Sequence, residues 1–177
     1  MGAVTEVREA TPEDLPGCAR LGAALSRLHH RMDPARFFVV PDMERGYAWW
    51  LAKELKNPRA VVLAAVRRGR GGRERVIGFA YGRIEPRDWN SLREECGMGI
   101  DVVVEPRLRG GGVGRRLVEA LAAALAARGA PRMVIEVAAA NGEARATFER
   151  MGFRPTLVEL TRELPKAPRA RRGRKRA

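Results

Sequence analysis

Arg109-Gly110-Gly111-Gly112-Val113-Gly114 sits between an apolar, strand-like run at 100–104 and a long helix-like run at 113–128. Three consecutive glycines, and a fourth after Val113, let a backbone approach a bulky anion without Cβ interference. The first N–H groups of the following helix have no partner within the helix, and they lie at the positive end of its dipole. A strand, a glycine loop and a helix N-terminus in that order predict a pyrophosphate cradle. Two familiar phosphate loops do not fit. A P-loop needs Lys-Ser/Thr after its last glycine, where this chain has Arg115-Arg116. A dinucleotide fingerprint needs a third glycine where this chain has Leu117, and it follows the first strand of its fold rather than several. The pattern that does fit is Arg-x-x-Gly-x-Gly, filled by Arg109, Gly112 and Gly114.

The rest of the chain reads outward from that loop. Upstream, a weak alternation at 4–8 predicts a first strand, and Thr11-Pro12-Glu13-Asp14 carries helix-start signals for a helix running to about Leu28. Residues 43–56 place Tyr47, Trp50, Leu51 and Leu55 on one helical face. Strands are expected at 60–66 and 76–81, joined by an Arg/Gly turn, and a central apolar strand at 98–104 after a polar loop. Downstream, Val113, Leu117, Leu121 and Leu125 form an apolar helical stripe that Gly129 and Pro131 end. A buried strand at 133–137, a helix at 141–151 and a last strand at 157–164 complete the order β-α-α-β-β-β-α-β-α-β. This is an α/β chain of the α+β kind, a mixed sheet with helices packed on it.

Its 177 residues suffice for one domain with a sizeable core, taken as residues 1–164. Residues 165–177 hold seven basic residues and no acid, and read as a disordered basic tail. That tail accounts for seven of the thirteen net positive charges. Of 34 basic residues 30 are arginines, which suits phosphate recognition and equally fits an overall compositional bias. No apolar run reaches the ~20 residues of a membrane span, and the first ten residues lack an apolar leader core. The two cysteines have no metal-binding or redox spacing, so a reducing cytoplasm and no metal are the expectation.

Three stretches together resemble the GNAT superfamily of acyl-CoA N-acyltransferases. The text VVVEPRLRGGGVGRRLVEAL at 102–121 is similar to the family's motif A. The text VIEVAAANGEARATFERMGF at 134–153 is similar to its motif B, ending in Gly152-Phe153, and VREATPEDLP at 7–16 matches its opening. The resemblance covers roughly residues 4–164 and implies a splayed central strand pair that admits the cofactor's pantetheine arm. It implies acetyl-CoA as cosubstrate and an amine as acceptor, joined in a ternary complex. The backbone of Val102, Val103 and Val104 would pair with pantetheine, and Pro106 lies just past this strand. The N–H groups of Arg109, Gly110, Gly111, Gly112, Val113, Gly114 and Arg115 would hold the pyrophosphate. Asn141 would contact pantetheine, or act only as a helix cap.

Acyl transfer to an amine needs a base, an oxyanion donor and a leaving thiolate. The donor is expected in the backbone near Val103 or Val104. Two carboxylates compete as base, either directly or through water. Glu136 stands where ribosomal-protein alanine acetyltransferases of the family place theirs, and Asp101 lies on the motif A strand. The family often carries a tyrosine acid seven residues after the asparagine. This chain has Phe148 there, keeping the ring's packing but not its hydroxyl. A thiol's pKa near ~8.5 lets thiolate leave without that acid. Acceptor-side residues are expected among His29-His30-Arg31, Trp49-Trp50 and the 85–97 loop with Asp88, Trp89, Glu94 and Glu95. Two other readings stay open: a nucleic-acid- or ribosome-associated module working through the basic tail, or a weakly catalytic acyl-CoA sensor. A homodimer is also compatible with the sequence.

Overall fold

The glycine loop follows the fourth strand of a five-stranded sheet, and the order of the sheet decides what lies beside it. The structure is a computed structural model describing residues 5–69 and 72–165. β1 (Thr5–Glu9) is followed by a 3-10 turn (Pro12–Asp14), α1 (Leu15–Met32) and α2 (Met43–Glu54). Three long strand segments come next: β2 (Ala60–Arg68), β3 (Glu74–Glu85) and β4 (Cys96–Val104). A second 3-10 turn (Pro106–Leu108) leads to α3 (Val113–Ala127), β5 (Met133–Ile135) and α4 (Gly142–Arg150). The strands lie in sequence order, antiparallel from β1 to β4, with β5 parallel to β4. It is the mixed α/β sheet that the order of elements predicts.

Helices cover both faces. One core joins Leu21, Leu25 and Leu51 of α1 and α2 to Val62, Phe79, Tyr81 and Val103 of the sheet. The other packs Leu117, Leu121 and Leu125 of α3 on Val61, Leu63, Ile77 and Val104. Cover on both faces explains why β2 reads AVVLAAV without polar alternation. Glycines set the helix–sheet distance: a Cβ on Gly97 would stand 2.9 Å from Leu125, and one on Gly82 would stand 3.2 Å from Leu121. At the first turn Asp14 accepts from the Thr11 N–H at 2.8 Å and from Arg8 at 2.6 Å, as the Thr11-Pro12 start signals imply.

β4 and β5 share only three register pairs, Gly97 with Met133, Met98 with Val134 and Gly99 with Ile135. Beyond Gly99 the two strands no longer pair, and β4 continues to Val104 with no strand on that side among the described residues. At the same point Ile100 is an extra residue against β3, since Tyr81 pairs Asp101 and Gly82 pairs Gly99. A bulge bends and twists a strand locally and re-aims the side chains beyond it.

Four expectations are corrected. α1 runs past Leu28 to Met32, because the basic His29-His30-Arg31 turn suits a helix C-terminus and only Asp33-Pro34 stops it. β5 is three residues long and half-buried, not a buried five-residue strand, since among the described residues no strand pairs with its outer edge. α4 begins at Gly142 with Asn141 as its N-cap. No strand forms at 157–164; that segment is exposed throughout and pairs with no strand of its own chain. The basic tail expected at 165–177 lies outside the described residues apart from Pro165.

Candidate active site

The glycine loop takes its shape from two left-handed residues. Gly110 and Gly112 have φ of +79° and +75°, a region that L side chains rarely adopt. Arg109 is extended, and its Nε donates to the Val104 carbonyl at 3.3 Å, tying the loop to the end of β4. The first bond of α3 runs from the Arg116 N–H to the Gly112 carbonyl at 3.1 Å. Among the described residues no backbone carbonyl accepts from the N–H groups of residues 110–115. A Cβ placed on Gly110 or Gly112 would meet nothing within 4 Å, so the loop is uncrowded at both positions. Gly114 faces inward, with its Cβ position 3.7 Å from Val104. Orphan donors, a helix N-terminus and an uncrowded loop suit a diphosphate. The Arg115 side chain pairs with Glu119 at 2.7 Å, so what it offers a ligand is its backbone.

Upstream of the loop, β4 sends alternate side chains to opposite faces. Val103 joins the α1–α2 core, while Val104 and the half-buried Val102 join the α3 core. Asp101 shares the parity of Val103 and is 7% exposed, one of only two buried charged residues among those described. Burial pushes its carboxyl up to about 6, and the Tyr47 hydroxyl partly opposes that rise by donating to the charged form. Tyr47 stands on the inner face of α2. Its hydroxyl is 3.1 Å from the Ser26 hydroxyl on α1, and its ring packs edge-on against Trp50 at 5.7 Å. Gly22 makes room for that ring, since a Cβ there would lie 2.5 Å from it. Burial raises the Tyr47 phenol further, so it stays a donor near neutral pH. Beside this pair Tyr81 donates to Glu54 at 2.7 Å.

The remaining sequence candidates fall in three places. Glu136 lies just past β5, exposed, near enough to Arg36 to act on its charge. Asn141 accepts from the Ala144 N–H at 3.2 Å, so its carbonyl is occupied as a cap. Phe148 is half-buried on α4 and meets Phe153 edge-on at 5.6 Å, a packing role. His29 faces Phe37 at 5.1 Å, and burial lowers its pKa. His30 Nδ1 is 2.6 Å from the Phe37 carbonyl, so both histidines brace the loop between α1 and α2. Trp50 is core-facing, whereas Trp49 is 62% exposed under Lys53. Glu94 and Glu95 pair with Arg87 and Arg59, and Asp88 caps its own turn through Asn90 and Ser91.

The structure therefore brings Asp101 to the place where β4 and β5 stop pairing, with the glycine loop at the end of the same strand, and leaves Glu136 outside on the solvent side. Sequence reasoning missed Ser26, Gly22 and the Tyr47 hydroxyl. The available signal was a tyrosine on an otherwise apolar helical face, opposite a glycine in the preceding helix. A concavity of about 540 Å³ lies elsewhere, between α1 and residues 41–48, and no glycine-loop residue lines it. Among the described residues, no three His, Cys, Asp or Glu side chains cluster to hold a metal, and no helix is long and apolar enough to cross a membrane.

Solved structures share this architecture. The tetramutant of the BH1408 protein from Bacillus halodurans is 23% identical, covering 91% of this chain and 99% of that one at a TM-score of 0.69. An aminoglycoside N-acetyltransferase in complex with CoA is 17% identical, covering 96% and 98% at 0.64. Glucosamine-6-phosphate N-acetyltransferase from Arabidopsis thaliana is 15% identical, covering 92% and 99% at 0.61. At such identities the likeness is one of fold. No curated protein matches the sequence. Residues 24–153, most of the chain and all of β4 and β5, the glycine loop and α3, match the profile described as the acetyltransferase (GNAT) family. With that match, the chain belongs to the acetyltransferase (GNAT) family and is an acyltransferase.

Proposed function

We propose that this enzyme carries an acetyl group from acetyl-CoA to a primary amine, both bound at once, with Asp101 as the base. The observation that carries the reading is the buried Asp101 carboxyl where β5 leaves β4, on a strand that ends in free loop N–H groups. The N–H groups of residues 110–115 hold the diphosphate, and the unpaired edge of β4 at Val102, Val103 and Val104 lines the pantetheine arm. Acetyl-CoA supplies the thioester that is cleaved. The amine nitrogen forms its bond to the thioester carbon, the carbon–sulfur bond breaks, and the electron pair leaves on sulfur. A backbone N–H near Val103 or Val104 bonds the developing oxyanion. Asp101 takes the proton that nitrogen sheds, and solvent protonates the thiolate, so Phe148 has no proton to give.

The Asp101 carboxyl at about 6 is a better base than an exposed carboxylate, yet it is ionised at neutral pH. Amines with low proton affinity suit it best. A lysine side chain at ~10.4 lies over four units above it, an α-amine at ~7.7–8.0 only about two. Glu136, exposed beyond β5, lacks the burial that would make its carboxylate a stronger base.

The test is thiol release from acetyl-CoA against polyamines, amino acids, peptides and aminoglycosides. Asp101→Asn is expected to lose about 10²–10⁴ in rate on every accepted amine, the usual contribution of a positioned base, while Glu136→Gln retains most of it. The reverse pattern would transfer the role to Glu136.

A further inference from the structure

Arg67, Arg75 and Arg116 come from three elements and meet at one end of the sheet, beside the start of α3. Val61, Leu63 and Ala65 of β2 face α3, and alternation carries that face on to Arg67. Arg75 of β3 stands directly opposite Arg67 in the register, so the two guanidinium groups share the face. Arg116, in the first turn of α3, reaches across to the Thr5 carbonyl at 3.0 Å, and Thr5 is the residue of β1 paired with Arg67. Little negative charge balances them. Arg75 has Glu105 at 2.5 Å, but Arg20 shares that carboxylate at 2.9 Å. Glu119, one turn along α3, is taken by Arg115. Glu6 and Glu74, in register with Val66 and Arg68, fall on the opposite face of the sheet. Among the described residues neither Arg67 nor Arg116 pairs with a carboxylate, and the buried Nε of Arg67 has no acceptor. Residues 1–4, 70–71 and 166–177, outside the described range, contain no Asp or Glu.

Like charges directly opposite in a sheet and a buried N–H without an acceptor both destabilise a fold, and a bound anion relieves both. We infer that this cluster takes a phosphate monoester, and that its source is the ribose 3′-phosphate of coenzyme A. The inference rests on the reading of the glycine loop as a diphosphate cradle. Arg116 follows immediately on the free N–H groups of residues 110–115, and Glu105, which Arg75 grips, leads into the turn before the loop. The 3′-phosphate is joined to the diphosphate through a single ribose, so a ligand held at the loop brings that group to the loop's border. A guanidinium fork suits it, because each arginine can give two parallel N–H bonds to phosphate oxygens. The main-chain donors hold a diphosphate whether or not the ribose is phosphorylated. The arginines add selection for the cosubstrate that carries the extra phosphate.

Calorimetric titration of the full chain with coenzyme A and with dephospho-coenzyme A, which lacks only the 3′-phosphate, tests this. Wild type should bind coenzyme A at least about tenfold more tightly, the size of one charge-assisted hydrogen bond. Arg67→Gln and Arg116→Gln should each bring the ratio of the two dissociation constants to within about threefold of unity, by weakening coenzyme A. Arg116 is exposed, so its variant keeps the fold even where the half-buried Arg67 does not tolerate replacement. Arg132→Gln removes the same charge beside Gly97, at the far end of β4, and should keep the wild-type ratio. Equal affinity of wild type for the two ligands, an unchanged ratio in Arg116→Gln, or an equal loss in Arg132→Gln would overturn the site and leave the diphosphate grip standing. Failure of both ligands to bind would overturn the two readings together.

Discussion

Asp101 is held in a state that costs the fold something, and in the proposed mechanism that same state serves the reaction. Its carboxyl at about 6 lies above the ~3.9 of an unfolded aspartate, so the folded state prefers the protonated form. That preference stabilises the protein below about pH 4 and is lost as pH rises through about 6. Asp101→Asn should therefore raise the melting temperature at pH 7.5, by a free energy up to about 3 kcal/mol, while removing activity. Calorimetry at pH 5 and pH 7.5 checks the sign, because the gain should shrink at the lower pH. Catalysis runs the other way, since only the carboxylate accepts a proton, so the rate should fall as pH drops below about 6. Tyr47→Phe takes away a donor to the charged form and should move that acid limb to higher pH, visible in a profile of kcat/KM. In the sequence, Asp101 and Glu136 were equally visible as strand carboxylates. Their difference is burial, which depends on α1 and α2 folding over one face of β4, and no local pattern around either residue encodes it.

At the scale of elements, the glycine loop is where sequence spoke most directly. Left-handed φ at Gly110 and Gly112 is a demand that only glycine meets cheaply, and it leaves a residue-type signature. Gly112→Ala should cost about 1–2 kcal/mol for the left-handed backbone. It would also add a methyl group to the uncrowded loop, so the KM for acetyl-CoA should rise about tenfold or more, with a smaller change in kcat. Steady-state kinetics and a melting curve on the same sample separate the two effects. Gly22→Ala, which pushes a methyl group into the Tyr47 ring, should destabilise by about 1–3 kcal/mol and broaden the acid limb of the pH profile. The α3 stripe and the β2–β3 hairpin were legible because their periodicities are long and unbroken. The segment at 157–164 was misread within the single chain for a different reason. Alternation shows that a segment can pair, but the partner is a property of the fold, and here the chain's own β5 does not take it.

For the whole molecule, the order of elements predicted a mixed sheet, and the family resemblance added a central strand pair that separates, which fits the three-residue pairing of β4 with β5. Charge was a poorer guide. Many arginines in the described body are spent on ion pairs with Asp14, Glu105, Glu94 or Glu119, so the surface is less free for phosphate than the net charge of +13 suggests. The acceptor has no sequence signature, because on the proposed reading it is selected by residues of several elements rather than by one motif. The proposal rests on a main-chain grip on one diphosphate, and a calorimetric titration of coenzyme A reads it most directly, with ATP and NAD alongside. Coenzyme A should bind and protect against heat by about 2.7 kcal/mol at a hundredfold excess over Kd, and Gly112→Ala should weaken it. Heat and protection from ATP or NAD, with none from coenzyme A, would contradict the account.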